Sequence, residues 1–160
     1  MAEKTKKILH TGVYSSPIGD ISITEENGFI ISVQLSKSDT ENTPSHLTDL
    51  TFKEILEYLS GTRTYFTVPI SPHGTDFQKK VWDSLCSIQY GNLKTYGEIA
   101  QEIGSPKGAR AVGMAYNKNP IHIIIPCHRV IGKSGLLTGY AAGLNIKEKL
   151  ILLEKKNGLK

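Results

Sequence analysis

The sequence predicts an α/β protein of the α+β type, built from two units, and three observations support this. Short apolar or alternating segments separated by turn formers occupy the first third of the 160-residue chain. Helix-start signals follow between residues 75 and 106. A stretch with two prolines, residues 62–72, lies between the two regions. We therefore expect an N-terminal α/β domain over residues 1–70 and a mainly helical domain over residues 71–160.

The N-terminal domain is predicted to be a three-stranded antiparallel sheet with one helix. Its expected strands are residues 8–14, 18–24 and 29–35. Asn27-Gly28 is a strong hairpin signal between the last two. After a polar loop, residues 47–59 place apolar side chains at helical spacing and stop at Gly61. No chemistry is recognisable in this domain, so we expect it to be a scaffold.

The second domain begins with two clearly marked helices. Thr75 with Gln78 and Thr95 with Glu98 have the spacing of capping boxes. The helix after Thr75 turns an apolar face inward, and Cys86 within it is expected to be a core residue. The helix after Thr95 is short, because a glycine stops it within two turns.

A third helix is predicted over about residues 107–117. Ser105 is its expected N-cap, and Pro106 its first helical residue. With the preceding helix and turn it has the proportions of a helix-turn-helix. The small residues of this helix would let its backbone approach DNA closely, and Lys107 and Arg110 would add positive charge. An ordinary helical hairpin in the core remains the alternative.

Charge is divided unevenly along the chain. Residues 1–70 carry a net charge of −3 and residues 71–160 carry +7, which gives +4 overall. A basic half indicates a polyanionic partner such as a nucleic acid. Charge that serves only solubility explains the asymmetry equally well.

One of the two thiols stands in the segment Pro126-Cys127-His128-Arg129-Val130, after an apolar run over residues 121–125. A cysteine becomes nucleophilic only as thiolate, which a neighbouring imidazole or cation favours. Because proline restricts the backbone, we expect Cys127 at the end of an extended strand. A small buried hydrophobic residue is the alternative. Glu154 could orient an imidazole, but from the sequence alone a solvated surface position is favoured.

Composition excludes several classes of protein. The N-terminus is polar and no apolar run could cross a bilayer, so we expect neither a signal peptide nor membrane association. The cysteines form no CxxC pair, which predicts free thiols in a reducing compartment, the cytoplasm. The five histidines are scattered, so we expect no metal.

Several motifs follow one another in a fixed order across the second domain. They are Gly74-Thr75-x-Phe77-Gln78, Val81-Trp82, Thr95-Tyr96-Gly97-Glu98-Ile99-Ala100, Arg110-Ala111-Val112-Gly113, Asn119-Pro120, Pro126-Cys127-His128-Arg129-Val130 and Gly139-Tyr140. Together they resemble the O6-alkylguanine-DNA alkyltransferases, also called methylated-DNA–protein-cysteine methyltransferases. The resemblance is specific from about residue 72 to residue 155 and general before it. It implies an RNase H-like N-terminal domain and a repair reaction on DNA.

The resemblance also implies catalytic roles. Cys127 would accept the alkyl group and pass its proton through a water to His128, whose tautomer Glu154 would fix. Asn119 would be the hinge between the helix-turn-helix and the active-site strand. Tyr96 would help rotate the phosphate of the flipped nucleotide and donate a proton towards the guanine ring.

Further implied residues contact DNA or line the pocket. Arg110 would enter the duplex and fill the gap left by the flipped guanosine. The other implied DNA-binding residues are Lys107, Ala109, Gly113, Thr95, Ser105 and Arg129. The implied pocket residues are Tyr140, Val130, Ala141, Ala142, Met114 and Lys147.

No cofactor is implied, because the alkylated base is itself the electrophile. The partner would be double-stranded DNA containing O6-alkylguanine, mainly O6-methylguanine, and the protein would act as a monomer. Nothing in the sequence could cleave the product thioether, so each molecule should react once.

This chain departs from the usual family pattern at a few positions. Gln89 stands where proline is common, His122 stands where a small or apolar residue is usual, and Ala142 replaces a frequent glycine. The last change could narrow the pocket. None of the three removes an implied catalytic role.

Three other functions compete with this interpretation. A protein that binds alkylated guanine without repairing it would lack the acceptor thiol. A helix-turn-helix regulator would leave the segment around Cys127 unexplained. A cysteine hydrolase would need a direct thiol–imidazole pair, which adjacent residues on a strand make poorly.

Overall fold

A three-stranded antiparallel sheet opens the fold, and the computed structural model, which describes residues 8–158, confirms the predicted class. The strands are β1 (Leu9–Ser16), β2 (Gly19–Glu26) and β3 (Phe29–Gln34), in that spatial order. Asn27 and Gly28 adopt φ values of 51° and 87°, which a tight hairpin of right-handed twist requires. The polar N-terminal segment noted in the sequence, residues 1–7, lies outside the described residues.

Helix α1 (His46–Leu59) packs against the sheet and ends before Gly61, whose φ is 83°. Its fully buried face is more polar than the apolar spacing indicates, with Thr48, Thr51, Glu54, Ile55 and Tyr58 inside. Leu56, expected inside, is 37% exposed. The difference has a physical reason, because the buried polar groups have hydrogen-bond partners. The carboxylate of Glu54, for example, accepts bonds from the backbone and hydroxyl groups of Thr67.

Four helices and a short parallel strand pair form the second domain. The helices are α2 (Asp76–Cys86), α3 (Tyr96–Glu102), α4 (Ala109–Asn117) and α5 (Leu144–Gly158). The strands β4 (Lys94–Thr95) and β5 (Val130–Ile131) pair in parallel. Both predicted capping boxes are present, at Thr75 before α2 and at Thr95 before α3. None of the helices within residues 8–158 has the length and apolar character needed to span a bilayer.

Two predictions about these helices are wrong. Helix α4 begins at Ala109 and not at residue 107, because the backbone N–H of Gly108 bonds to the carbonyl of Ser105 at 2.8 Å and closes a separate turn. Gly108 is therefore the N-cap, and Pro106 lies in the turn. Cys86 is exposed at the end of α2, where the helix turns its last residue away from the core.

The segment before Cys127 is not the extended strand that the sequence predicts. Residues 121–125 form turns, and Cys127–Arg129 is a single turn of 3-10 helix. Ile123 has a φ of 71°, which for a β-branched residue stores strain on the order of 1–3 kcal/mol. This compact geometry buries the thiol within the core, so Cys127 does not end an exposed strand.

Strand β3, at the edge of the sheet, joins the two domains through backbone hydrogen bonds. Val33 pairs with Ile121, and the N–H of Ser71 donates to the carbonyl of Ile30 at 2.9 Å. The N–H of Val33 donates to Pro120 at 2.9 Å. The N-terminal sheet therefore supports the backbone of the turn that precedes Cys127.

Candidate active site and nucleic-acid interface

Cys127 is buried, with 1% of its surface exposed, beside a cavity of about 230 Å³. The cavity is lined by Tyr116, Asn117, His122, Cys127, Tyr140 and Ala141. Burial raises the pKa of the Cys127 thiol to about 11, against opposing contributions from Asn119 and Lys147. The sulfur is therefore a thiol at neutral pH and needs a base to become a nucleophile.

The residue after Cys127 belongs to a buried imidazole–carboxylate pair. Nε2 of His128 and Oε2 of Glu154 are 2.5 Å apart, and both side chains are buried. Burial lowers the pKa of His128, and Glu154 opposes this shift. A neutral His128 that donates from Nε2 carries its lone pair on Nδ1, which has no protein partner among residues 8–158. Nδ1 is thus the basic nitrogen of this histidine.

Glu154 is the most heavily hydrogen-bonded side chain of the site. Its Oε1 accepts from Nε of Arg129 at 2.8 Å and from the backbone N–H of Gly91 at 3.0 Å. Burial alone would raise its pKa, but the hydrogen bonds that it accepts from His128 and Arg129, together with the charge of Arg129, lower that pKa to about 2. The favoured sequence reading, a solvated surface glutamate, is therefore wrong for Glu154.

Arg129 is buried against Glu154. Its guanidinium pairs with Glu154, and its Nη1 donates to the carbonyl of Ile88 at 2.7 Å. Only 8% of the residue is exposed, so it cannot reach a phosphate without breaking these bonds. We correct the expectation of a DNA contact, because Arg129 is the charge partner of Glu154.

Tyr58 connects the N-terminal domain to this pair. Its hydroxyl donates to Oε2 of Glu154 at 2.5 Å and lies 3.1 Å from Nε2 of His128. Sequence reasoning missed it, because an aromatic residue on a helix predicts core packing and nothing more. The only sequence signal was a tyrosine among leucines on α1, which requires a buried partner for its hydroxyl.

Asn119 holds the turn before Cys127 at both ends. Its Oδ1 accepts from the backbone N–H of Ile121 at 2.9 Å, and its Nδ2 donates to the carbonyl of Ile125 at 3.2 Å. The side chain directly follows the end of α4 and closes the turn that contains the strained Ile123. Its location between α4 and the cysteine segment agrees with the implied hinge position.

A groove of about 850 Å³ runs along α3 and α4 on the outside of the domain. The predicted residues Thr95, Tyr96, Ala109, Arg110 and Gly113 line it. Met114 also lines this groove, with 69% of its surface exposed, and does not line the Cys127 cavity. We therefore move Met114 from the pocket to the groove, because its position on α4 points it outward.

The remaining predicted DNA contacts lie at the start of α4. Lys107 is exposed and Ser105 is partly exposed, both in the turn between α3 and α4. Lys133, which the sequence analysis did not single out, also lines the groove and adds a further positive charge. Asn117 lines both the groove and the Cys127 cavity, so the two spaces are neighbours.

Tyr96 stands at the first position of α3, on the groove wall. Its hydroxyl shares a hydrogen bond of 2.7 Å with the hydroxyl of Thr138, and its ring meets that of Tyr116 edge-on at 5.3 Å. Since Tyr116 lines the cavity, Tyr96 lies between the groove and the thiol.

The other predicted pocket residues divide into two groups. Tyr140 and Ala141 line the cavity, whereas Val130 and Ala142 pack beside it in the core. Lys147 is fully buried, and its Nζ donates to the carbonyl of Thr138 at 2.7 Å. Burial lowers the pKa of Lys147 to about 8, and Cys127 opposes this shift. Lys147 therefore fixes the loop over the cavity and does not line it.

The site has no arrangement suited to a bound metal. Across residues 8–158, no group of three or more His, Cys, Asp or Glu side chains is close enough to hold an ion. His122 and Cys127 adjoin each other but lack a third ligand.

The groove along the helix-turn-helix neighbours the cavity beside the buried Cys127. The next residue of the chain belongs to an imidazole–carboxylate pair. Together these features define a DNA-binding protein with a nucleophilic cysteine. Residues 9–72 match the model of the 6-O-methylguanine DNA methyltransferase ribonuclease-like domain, and residues 76–156 match that of its DNA-binding domain. The chain belongs to the 6-O-methylguanine DNA methyltransferase family, which confirms the resemblance found in the sequence.

Individual relatives are similar over nearly the whole chain. A methylated-DNA–protein-cysteine methyltransferase of Methanosarcina acetivorans is 45% identical over 153 residues, 91% of this chain and 98% of that protein. One from Mycobacterium tuberculosis is 41% identical over 154 residues, 92% of this chain and 93% of its own. A crystal structure of a Mycobacterium tuberculosis homologue in complex with DNA has a TM-score of 0.85 and 42% identity, and covers 92% of this chain and 94% of its own.

Proposed function

We propose that this protein repairs DNA by direct damage reversal, transferring the alkyl group of O6-alkylguanine, mainly O6-methylguanine, to Cys127. One observation carries the proposal. The thiol adjoins a cavity that neighbours the helix-turn-helix groove, with His128 and Glu154 behind it. A groove without a thiol would suit only binding, and a thiol without a groove would have no route to DNA.

The substrate base has to leave the duplex to reach the sulfur. A base stacked in DNA is inaccessible to a buried group, and its extrusion costs a few kcal/mol. At about 230 Å³ the Cys127 cavity lies below the roughly 300–1,000 Å³ of typical small-molecule pockets, a size that suits a single flipped base. Arg110 on α4 would fill the gap in the stack and offset part of the unstacking.

The thiol has to lose its proton before or during the attack. His128 is the base, because Glu154 accepts its Nε2 hydrogen and leaves the Nδ1 lone pair available. A water between Nδ1 and the sulfur would carry the proton. Arg129 balances the charge of Glu154, so the carboxylate orients the imidazole more than it raises its basicity.

The bonds that form and break in the transfer balance without a cofactor. Sγ of Cys127 bonds to the alkyl carbon while the carbon–O6 bond breaks, and its electron pair stays on the guanine. That guanine then gains a proton, and the Tyr96 hydroxyl at the groove wall helps to supply it. The net result is a thioether and an unmodified guanine.

The carbon–sulfur bond of a thioether is stable in water because its cleavage would expel the Cys127 thiolate, and the residues that line the cavity offer no nucleophile to replace it. The reaction therefore consumes one protein molecule per lesion. Because the acceptor has to stay a free thiol, a reducing compartment that contains DNA suits the activity, and we propose the cytoplasm. We also propose that residues 71–160 carry the reaction and that residues 1–70 support it.

Intact mass spectrometry tests this function. The protein is incubated with excess duplex DNA that carries one O6-methylguanine, and with the matched unmodified duplex. We expect the mass to rise by one methyl group per chain with the modified duplex only, and to stop there. No mass change, or addition beyond one methyl, would contradict the proposal.

A further inference from the structure

His122 lies directly against the acceptor sulfur. Its Nδ1 is 3.6 Å from Sγ of Cys127, a hydrogen-bonding distance for sulfur. The implied proton acceptor, Nδ1 of His128, has no such protein contact within residues 8–158. The imidazole in hydrogen-bond contact with the reacting atom is therefore one to which the proposed repair reaction assigns no role.

The fold holds this imidazole in place from two sides. The backbone N–H of His122 donates to the carbonyl of Val33 on β3 at 3.1 Å. The ring meets the ring of Tyr140 edge-on, at 5.7 Å between centroids. Only 6% of the residue is exposed. The contact with sulfur is thus part of the packed structure and not a chance approach of a surface side chain.

The imidazole of His122 is neutral at physiological pH. Burial lowers its pKa to about 4. The titratable groups that face it, or face the sulfur beside it, are Cys127, Tyr116, Tyr140, His128 and Lys147. No carboxylate is among them, so nothing stabilises a charged form of this ring.

A neutral imidazole can bond to the sulfur in either of its protonation states. Beside S–H its Nδ1 accepts a hydrogen bond, and beside S⁻ its other tautomer donates one. Hydrogen bonds to a charged partner are about twice as strong as those between neutral groups. The net effect of such a neighbour is to favour the thiolate.

We propose that His122 is a catalytic residue of the alkyl transfer, in which its Nδ1–H donates a hydrogen bond to the Cys127 thiolate. This inference rests on the proposed function for its substrate. The thiol proton leaves towards His128, His122 stabilises S⁻, and the sulfur–carbon bond then forms as the carbon–O6 bond breaks. The hydrogen bond weakens in the product, because a thioether sulfur is only a weak acceptor.

The test measures the acidity of Cys127 in the absence of DNA. All variants carry Cys86→Ser, which removes the exposed second thiol. The rate of carbamidomethylation by iodoacetamide is followed against pH by mass spectrometry of the Cys127 peptide. His122→Leu and His122→Asn form the matched pair, since they share shape and only Asn keeps an N–H near the position of Nδ1.

We expect His122→Leu to raise the apparent pKa of Cys127 by about one unit or more. His122→Asn should restore much of the difference, and the alkyl-transfer rate with methylated duplex should follow the same order. Equal pKa values in all three proteins, or equal shifts in Leu and Asn, would overturn the proposal and leave His122 a packing residue. Circular dichroism of each variant verifies that the fold is intact.

Failure of this inference is distinguishable from failure of the proposed function. The iodoacetamide profile reports the thiol and its neighbour whether or not DNA is a substrate. If the pKa shifts as expected while methylated duplex leaves the protein mass unchanged, the contact is real and the repair function is wrong. If repair proceeds equally in all variants, the function stands and His122 has no part in it.

Discussion

Tyr58 and Glu154 lie 96 residues apart in the sequence, yet their side chains form a buried hydrogen bond of 2.5 Å. The bond runs from α1 of the N-terminal domain to α5, and it ends on the same carboxylate oxygen that holds His128. It is flanked by the edge-on contacts of Tyr58 with Tyr90 and His128. The N-terminal domain therefore touches the His128–Glu154 pair directly, which its expected role as a scaffold did not include.

Removing the Tyr58 hydroxyl should weaken both the fold and the reaction. Tyr58→Phe deletes one bond to a charged acceptor, which costs about 1.5–3 kcal/mol of stability. Because Glu154 then holds the His128 ring less firmly, single-turnover alkyl transfer should slow several-fold. Urea unfolding and quenched transfer kinetics measure the two effects.

Tyr14→Phe is the matched control for this variant. The Tyr14 hydroxyl also bonds to a carboxylate, that of Asp49, at 2.7 Å, but neither residue lines the Cys127 cavity. We expect it to lower stability while the transfer rate of the folded protein stays unchanged. A Tyr58→Phe protein that transfers at the wild-type rate would show that the contact between domains is structural only.

Arg129 and Lys107 should behave differently, although both are basic residues in the DNA-binding half. Arg129→Lys breaks a buried two-point contact with Glu154 and should lower stability, because lysine cannot replace a planar fork. Lys107→Ala should leave the free energy of unfolding unchanged. It should reduce the slope of the logarithm of the duplex-binding constant against the logarithm of salt concentration by about one, because one phosphate contact is lost. Urea unfolding and fluorescence anisotropy at several salt concentrations measure these outcomes. A reduced salt slope in Arg129→Lys would restore Arg129 as a DNA contact.

Arg110 should matter for duplex DNA and not for the isolated base. Arg110→Ala loses the side chain that we propose fills the vacated stack, so transfer from a methylated duplex should fall about tenfold or more. Reaction with free O6-methylguanine base should be unchanged. Lys79→Ala removes an exposed charge outside the groove and is the control. Equal losses on both substrates would argue against a role in base extrusion.

Acid should destabilise the protein through Glu154. Its pKa is about 2 in the fold against an ordinary 4.5, so its contribution is complete above pH 4.5 and is lost as the pH falls towards 2. The shift corresponds to on the order of 3 kcal/mol. The groups that face it are Tyr58, His128 and Arg129. Free energies of unfolding across this range should therefore fall steeply.

Another loss of unfolding free energy should occur at a higher pH than the loss through Glu154. Because the pKa of His122 is lowered, the contribution of this residue to the free energy of unfolding is present above about pH 6.5. It is lost as the pH falls to about 4. Glu154→Gln should flatten only the loss at lower pH, whereas Glu41→Gln, at an exposed carboxylate in a loop, should change neither. An unfolding free energy that is constant between pH 4.5 and 2 would refute the assignment for Glu154.

Local signals in the sequence predicted most of the fold. Thr75 and Thr95 fixed two helix starts because a capping box acts within four residues. Asn27-Gly28 fixed the hairpin for the same reason. The start of α4 was missed, since Ser105 offers a turn that competes with the helix and only the folded chain decides between them.

The site was less predictable, because its contacts join residues that are distant in the sequence. The resemblance supplied His128 and Glu154, but the residue types alone favoured a surface glutamate. Arg129 and Tyr58 meet at Glu154 only because α1, α5 and the cysteine turn converge there. No spacing rule connects residue 58 with residue 154, so this contact could not be derived from the sequence.

Peptide mapping of the alkylated protein tests the central claim most directly. The chain holds two free thiols, one buried beside a cavity and one exposed at the end of α2. After reaction with a duplex that carries O6-methylguanine, digestion and tandem mass spectrometry locate the added methyl group. The account predicts S-methylation of Cys127, none on Cys86, and no methylation in Cys127→Ala. A methyl group on Cys86, or full labelling of Cys127→Ala, would contradict it.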